Sequence, residues 1–139
     1  MICVEKVVFH QCRNELLGIR SKVFIEEQGV PEALEVDDQD PVSHHLLLFD
    51  AGQPVATGRL TPNGHIGRLA VLKPYRQRGH GATLLSQLEA LAKTQGLSKV
   101  KLAAQLTALP FYQKRGYLPY GGIFMDAGIE HRMMKKELA

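Results

Sequence analysis

The segment 76–81 brings cationic side chains and glycines together in one short turn. Gly79 and Gly81 have no side chain, so an anion can approach the main chain closely at either position. Arg76 and Arg78 can add charge-assisted hydrogen bonds. If a helix begins here, its first N–H groups are unpaired and its dipole adds partial positive charge. We therefore predict a diphosphate site composed of Arg76, Gln77, Arg78, Gly79, His80 and Gly81.

Two other phosphate-binding motifs do not describe this turn. The P-loop pattern G-x-x-x-x-G-K-[ST] is absent from the chain. The dinucleotide pattern G-x-G-x-x-G requires a third glycine where this chain has Leu84. A glycine-rich turn that binds no ligand remains the alternative interpretation.

The neighbouring segments predict how the turn is held. Residues 65–72 predict a strand before it, and residues 99–104 predict another strand further on. Between them, an apolar stripe at helical spacing is formed by Leu84, Leu85, Leu88, Leu91 and Ala92. A strand, helix and strand in this order predict parallel strands with a right-handed crossover. The diphosphate turn is therefore expected at the carboxyl end of a strand.

The whole pattern predicts one mixed, mostly antiparallel sheet of about seven strands flanked by helices, an α/β (α+β) fold. Further strands are predicted over 3–9, 44–49, 54–61, 117–125 and 129–135, and further helices over 16–24 and 106–115. The acidic residues 32–40 are expected to form a solvated surface loop. The chain length favours residues 1–139 as a single domain.

Composition narrows the class of ligand and the location of the protein. The net charge of +3 is spread along the chain, which favours a small polyanion over a nucleic acid. No apolar run has transmembrane length and no secretory leader is recognisable, so we expect a cytoplasmic protein without a membrane partner. Cys3 and Cys12 are expected to be buried, unreactive thiols. The adjacent His44 and His45 point to opposite faces of a strand, and no metal site is predicted.

Two motifs of the chain resemble the GCN5-related N-acetyltransferase superfamily. The signature [QR]-x-x-G-x-[GA] is matched by Arg76, Gly79 and Gly81. The segment 104–117 resembles the F-Y-x-x-x-G-[FY] motif of the same superfamily, at a similar separation from the first. Two further segments, 23–28 and 128–134, are similar to a small subgroup of bacterial acetyltransferases.

This resemblance implies that acetyl-CoA is the acyl donor. The acetyl group would pass to the primary amine of a small-molecule acceptor by direct attack in a ternary complex. The pantetheine arm would bond the main chain of Leu69, Ala70 and Val71, and the pyrophosphate would bind the turn. Many members have Asn at the end of the fifth strand, where this chain has Gln105. An acetyl-CoA-binding sensor without acyl transfer and a protein N-acetyltransferase remain the alternative functions.

Tyr112 and His131 are the predicted catalytic residues. Tyr112 matches the family's tyrosine whose hydroxyl lies near the cofactor sulfur, where it would protonate the leaving thiolate. His131 lies in the last strand, where some related small-molecule acetyltransferases carry a functional histidine, and imidazole suits proton abstraction near neutral pH. The competing bases are Glu26 or Glu27 acting through water, and His44 or His45.

The acceptor is expected to carry an acidic group. Arg20 and Arg68 resemble arginines that clamp acidic substrates in some relatives, which implies a carboxylate or phosphate on the amine. A bulge near residues 69–71 is expected to free a main-chain N–H for the reaction's oxyanion. Members of the superfamily often associate through strand edges near the carboxyl terminus, so a homodimer is a further expectation.

Overall fold

The computed structural model describes residues Met1–Ala139 and contains one seven-stranded sheet. Its strands are β1 Ile2–Val7, β2 His44–Asp50, β3 Gln53–Leu60, β4 His65–Val71, β5 Lys99–Gln105, β6 Leu118–Asp126 and β7 Ile129–Glu137. The α-helices are α1 Arg13–Arg20, α2 Glu32–Glu35, α3 His80–Thr94 and α4 Leu109–Gln113. A π-helical segment, Ser21–Glu27, continues α1, and short 3-10 turns lie at Asp40–Val42, Lys73–Tyr75 and Leu106–Ala108.

The strands lie in the order β1-β2-β3-β4-β5-β7-β6. Every neighbouring pair is antiparallel except β4 and β5, which are parallel as predicted. These two strands pair only near their beginnings, where His65 lies opposite Lys101 and Ile66 opposite Leu102. The expected mixed sheet is confirmed, and it opens into a cleft between the carboxyl-terminal halves of β4 and β5.

The two faces of the sheet carry separate apolar layers. Helix α3 buries Leu84, Leu85 and Leu88 on one face, as its apolar stripe predicts. Helix α1 packs Leu16 and Ile19 on the other face. Full burial of each leucine contributes about 1.5 to 3 kcal/mol relative to exposure, so α3 is held firmly against this face of the sheet. None of the helices is long and apolar enough to cross a membrane.

Residues 32–40 are not the solvated loop that their composition predicts. Residues 32–35 form α2, and the side chains of Glu35 and Asp40 are buried. Buried carboxylates are tolerated when cations pair with them, and arginines from other elements do so here. The prediction is wrong because those arginines lie far away along the chain.

Two smaller predictions also differ from the structure. Cys3 is exposed and Cys12 is partly buried; Cys3 lies in β1, which is an edge strand. The segment 106–115 is a 3-10 turn followed by the short helix α4, with Pro110 in its first turn, and not one continuous helix. Neither difference changes the position of the cleft.

Candidate active site

A bulge in β4 shapes the cleft. The register against β3 shifts there, so Gly58 faces both Arg68 and Leu69. Arg68 has a φ of +51°, which is uncommon for a residue with a side chain. A Cβ at Gly58 would lie 2.8 Å from the end of the Leu88 side chain, so any other residue there would force Leu88 of α3 to shift. The predicted bulge is therefore present, beginning one residue before the expected segment.

The turn after β4 presents six consecutive main-chain N–H groups without a protein acceptor. Residues 77–82 donate no hydrogen bond within the protein, whereas the N–H of Thr83 donates to the carbonyl of Gly79. Gln77 and Gly79 have φ values of 64° and 80°, and left-handed residues in a turn help gather N–H groups on one side. Since α3 begins at His80, the last of these groups also carry the partial positive charge of a helix start. This geometry is suited to an anion.

Arg76 fixes the turn to its surroundings. Its Nε donates to the carbonyl of Val71 at 2.9 Å, and its two terminal nitrogens donate to the Glu27 carboxylate at 2.8 and 2.7 Å. The hydrogen bond from Arg76 lowers the pKa of Glu27 below its usual range. Glu27 ends the π-helical segment, which also contributes Phe24 to the cleft. The ion pair therefore links the turn to that segment.

Arg78 and His80 fix the turn on its other side. Both donate to the Asp50 carboxylate at the end of β2, each at 3.1 Å. The hydrogen bond from His80 is the larger cause, and that from Arg78 a further cause, of the lowered pKa of Asp50. The arginines predicted to bind phosphate are thus paired with carboxylates, and the unpaired main-chain N–H groups of the turn remain available to an anion.

The three residues predicted to contact the pantetheine arm differ in what they expose. Leu69 lines the large cleft and Val71 lines the surface beside the turn. The side chain of Ala70 is buried in the apolar layer under α1. Ala70 can therefore meet a ligand only through its main chain.

The cleft has a volume of about 630 Å³. Several predicted site residues line it together, namely Arg68, Leu69, Gln105, Tyr112 and His131. Gln105 also donates to the side chain of Gln28 at 3.0 Å, which joins β5 to the residue after the π-helical segment. The competing bases Glu26, Glu27, His44 and His45 lie outside the cleft lining.

His131 is held in one orientation. Its Nδ1–H donates to the carbonyl of Ile129 at 2.7 Å, and its ring stacks on Phe124 with centroids 5.8 Å apart. In a neutral imidazole with a proton on Nδ1, the other nitrogen Nε2 carries a lone pair. The ring is largely buried in the cleft wall, so the geometry provides an oriented proton acceptor.

Tyr112 lies on α4 and packs edge-on against Phe111 and Tyr117, with centroid distances of 5.0 and 5.7 Å. Burial raises the pKa of Tyr112 to about 12. Its hydroxyl therefore stays protonated at neutral pH and can donate a hydrogen bond. Tyr117 is in turn fixed by a 2.8 Å hydrogen bond from its hydroxyl to Glu89 on α3.

Arg20 is not available to a ligand. Its side chain is fully buried, its Nε donates to Glu35, and its terminal nitrogens donate to Asp40 at 2.8 and 3.0 Å. Burial alone would raise the pKa of Asp40, but the hydrogen bonds and charge of Arg20 outweigh it and lower that pKa to about 2. The prediction that Arg20 clamps an acidic substrate is wrong, because its charge is neutralised inside the fold.

The same buried cluster includes residues from β2 and β3. Arg59 donates to Asp37 at 2.7 Å and to Asp40 at 3.1 Å. The ring of His45 donates from Nε2 to the main-chain carbonyl of Asp40 at 2.8 Å. Burial lowers the pKa of His45 although Asp40 opposes this shift, so the ring is neutral at neutral pH. We call residues 32–40, with the arginines that bind them, the acceptor wall.

Arg68 is the accessible arginine of the acceptor wall. Its Nε donates to the carbonyl of Glu35 at 3.0 Å and its Nη2 to Asp37 at 3.1 Å. Its side chain is 25% exposed, and Nη1 makes no hydrogen bond within the protein. One nitrogen of Arg68 therefore remains free beside the cleft.

Several cleft residues were not predicted from the sequence. Asp37, Arg59 and His65 all line the cleft. Burial, followed by the charge of Lys101, lowers the pKa of His65. Strand alternation fixes which side chains of one strand share a face. Whether Arg59 on β3 and Arg68 on β4 lie on the same face depends on the bulge. No local signal in the sequence marks these residues.

Several solved structures share this architecture. The chain is similar to an acyl-CoA N-acyltransferase from Pseudomonas aeruginosa, with a TM-score of 0.84, 26% identity and 98% coverage of both chains. It is also similar to Escherichia coli ElaA, with a TM-score of 0.86, 27% identity, and coverage of 99% and 100%. The fold and its splayed sheet define the class as an acyl-CoA-dependent N-acyltransferase.

The sequence comparison identifies the family. Residues 7–138 match the profile of the acetyltransferase (GNAT) domain. The chain is 38% identical to the uncharacterised N-acetyltransferase YjcF of Bacillus subtilis, over 86% of this chain and 88% of that protein. It is 41% identical to the uncharacterised protein YyaT of the same organism, over 98% and 96% of the two chains. The chain belongs to the GNAT acetyltransferase family, as its motifs suggest.

Proposed function

We propose that this enzyme transfers the acetyl group of acetyl-CoA to the primary amine of a small molecule, by direct attack while both substrates are bound. The observation that carries the proposal is a continuous arrangement along β4. An anion-binding turn follows the strand, and the cleft beside the strand contains a protonated tyrosine and an oriented histidine.

The turn at residues 76–82 fits the diphosphate of the donor. Six unpaired N–H groups at a helix start suit a group with two negative charges. Gly81 adds no side chain to this surface, and a Cβ there would make ordinary contact with the Phe111 ring at 3.5 Å. Arg76 and Arg78 shape the turn through Glu27 and Asp50, and they support the bound anion from there.

His131 acts as the general base in this proposal. An alkyl ammonium of pKa about 10 is only about one part in a thousand neutral at pH 7, a deficit of roughly 4 kcal/mol. The lone pair on Nε2, fixed by the hydrogen bond of Nδ1 to Ile129, would accept the proton of the acceptor amine. The pH dependence of kcat/KM for His131→Ala tests this role. The variant is expected to lose the acidic limb of the wild-type profile, and a retained limb would remove His131 from the mechanism.

Tyr112 would stabilise the leaving sulfur. Its pKa of about 12 lies some 3 to 4 units above that of an ordinary thiol, so complete proton transfer would be uphill by about 5 kcal/mol. A hydrogen bond from the hydroxyl to the developing thiolate has no such barrier. We therefore assign Tyr112 as a hydrogen-bond donor to the sulfur, with the proton supplied by the amine once the thiolate departs.

The β4 bulge would supply the oxyanion donor. Residues 69–71 lie beyond the last pair that β4 makes with β5, and the bulge changes their register against β3. A main-chain N–H in this stretch can meet the carbonyl oxygen of the thioester. Gln105, which ends β5 on the opposite side of the opening, would contact the pantetheine arm.

The acceptor amine would carry a carboxylate or a phosphate. Arg68 has a free Nη1 at the cleft, whereas the donors of Arg20 and most donors of Arg59 are engaged by carboxylates of residues 35–40. A cleft of about 630 Å³ has the size of a small-molecule site. These observations favour a small acidic amine over a folded protein.

Thiol release from acetyl-CoA tests the proposal directly. Amino acids, phosphorylated amines, aminoglycosides and neutral amines would be screened with the purified protein. Release is expected with amines that bear an acidic group. Release with neutral amines only would overturn the acceptor class, and calorimetric binding of CoA without release for any amine would favour a sensor.

A further inference from the structure

Arg115, which follows α4, lies beside the diphosphate turn. A second cleft is lined on one side by the turn, including Arg76, Gly79 and Gly81, and on the other side by Phe111 and Arg115. The F-Y-x-x-x-G-[FY] motif leaves the residue at position 115 unspecified. The motif therefore does not single out this arginine.

The Arg115 side chain is pre-oriented. Its Nη1 donates to the carbonyl of Phe111 at 2.8 Å, and its guanidinium carbon lies 4.0 Å from the centre of the Phe111 ring. The remaining edge of the guanidinium, formed by Nε and Nη2, makes no hydrogen bond within the protein and is not buried. Such an edge can donate two parallel hydrogen bonds to a phosphate.

Arg115 also differs in charge from the other arginines of this region. Arg76 is paired with Glu27, and Arg78 is paired with Asp50. Arg115 has no carboxylate partner within 4.0 Å. Among the arginines that line this second cleft, Arg115 is therefore the one whose positive charge is not offset by a carboxylate.

We propose that Arg115 binds the ribose 3′-phosphate of coenzyme A. The inference rests on the proposed use of acetyl-CoA as donor. The diphosphate has the six main-chain N–H groups of residues 77–82, whereas the 3′-phosphate is a separate, doubly charged group that needs its own cation. The free edge of Arg115 lies on the opposite wall of the same cleft, which suits this second phosphate.

Calorimetric titration of CoA and 3′-dephospho-CoA into the wild type and Arg115→Met distinguishes binding of the 3′-phosphate from binding of the diphosphate. The wild type is expected to bind CoA about tenfold more tightly than dephospho-CoA. Arg115→Met should lose this tenfold preference and bind dephospho-CoA as the wild type does. Unchanged dephospho-CoA binding also demonstrates that the variant is folded.

Lys114→Met is the matched control. It removes the same charge from the neighbouring, exposed residue, which does not line the cleft, and it should keep the preference. The proposal is overturned if Arg115→Met still prefers CoA, or if it weakens both ligands equally, since the second result would place Arg115 on the diphosphate. Failure of the wild type to bind either ligand would instead refute the proposed donor, and with it the basis of this inference.

Discussion

The turn at residues 76–82, here called the donor turn, and the acceptor wall bind charge in opposite ways. The donor turn uses contiguous main-chain N–H groups, whose direction follows from local backbone angles. The acceptor wall uses side-chain charges from α1, α2, β3 and β4, and most of its charges cancel inside the protein. The first region should therefore be sensitive to backbone changes, and the second to the loss of single charged side chains.

The largest expected effect lies in the acceptor wall, with Asp40→Ala. This change leaves the fully buried Arg20 without its main partner, and breaking a buried pair costs about 3 to 5 kcal/mol. Urea unfolding should detect a loss of that size. Asp38→Ala removes the same group from an exposed neighbour without an ion pair and should stay within about 0.5 kcal/mol of the wild type. Equal losses of stability in the two variants would contradict the assigned ion pair between Arg20 and Asp40.

The donor turn should respond most to its backbone. Gly79 has a φ of 80°, and a β-branched residue there is strained. Gly79→Val is expected to weaken CoA binding about hundredfold, or about 2.7 kcal/mol, because the N–H groups no longer converge. Gln77→Gly is the matched control, since residue 77 has a φ of 64° that glycine adopts freely. Calorimetry should find its CoA affinity equal to or above that of the wild type.

Acid should weaken the acceptor wall. The pKa of Asp40 is about 2 in the folded protein and near 3.8 when unfolded, so its contribution is present above pH 4 and is lost as pH falls toward 2. The pKa of Asp37 is lowered as well, although burial opposes this, because Arg59 and Arg68 bind it. The lowered pKa of Asp40 contributes about 2 kcal/mol to the free energy of unfolding near neutral pH. The stability difference between wild type and Asp40→Asn should shrink by about 1.5 kcal/mol between pH 5 and pH 2.5, and a constant difference would contradict the assigned pairing.

Tyr112→Phe tests the cleft that both regions border. Loss of the hydroxyl is expected to lower kcat at least tenfold, about 1.4 kcal/mol, with little change in CoA affinity. The ring should keep its packing against Phe111 and Tyr117. Steady-state kinetics and calorimetry on the same preparation measure both quantities. Unchanged turnover would exclude the role of Tyr112 as a donor to the sulfur.

The smallest effect is expected for Arg68→Gln. Its free Nη1 is partly exposed, so its loss should raise the KM of an acidic acceptor several-fold while leaving the KM of acetyl-CoA unchanged. Initial-rate kinetics at fixed, saturating donor measure this. An unaltered acceptor KM would contradict the acidic-acceptor proposal, whereas a raised donor KM would indicate that the β4 bulge had been disturbed.

Predictions from the sequence succeeded where the signal was local. The apolar stripe of α3 and the order of strand, helix and strand correctly indicated the parallel pair of β4 and β5. Predictions failed for Glu35 and Asp40, whose acidic surroundings are typical of a solvated loop. Their partner Arg20 is 15 and 20 residues away, and no periodicity relates them.

The family and the donor turn could both be predicted from the sequence by itself. The turn was predictable because glycines and a helix start in adjacent positions fix the direction of main-chain N–H groups. Only the tertiary structure decided which arginines face the cleft. Arg20 and Arg68 look alike in sequence, but buried ion pairs with Glu35 and Asp40 neutralise Arg20, whereas Arg68, at the bulge in β4, lines the cleft. Charge pairing depends on distances between remote segments, and folding of the whole sheet sets those distances.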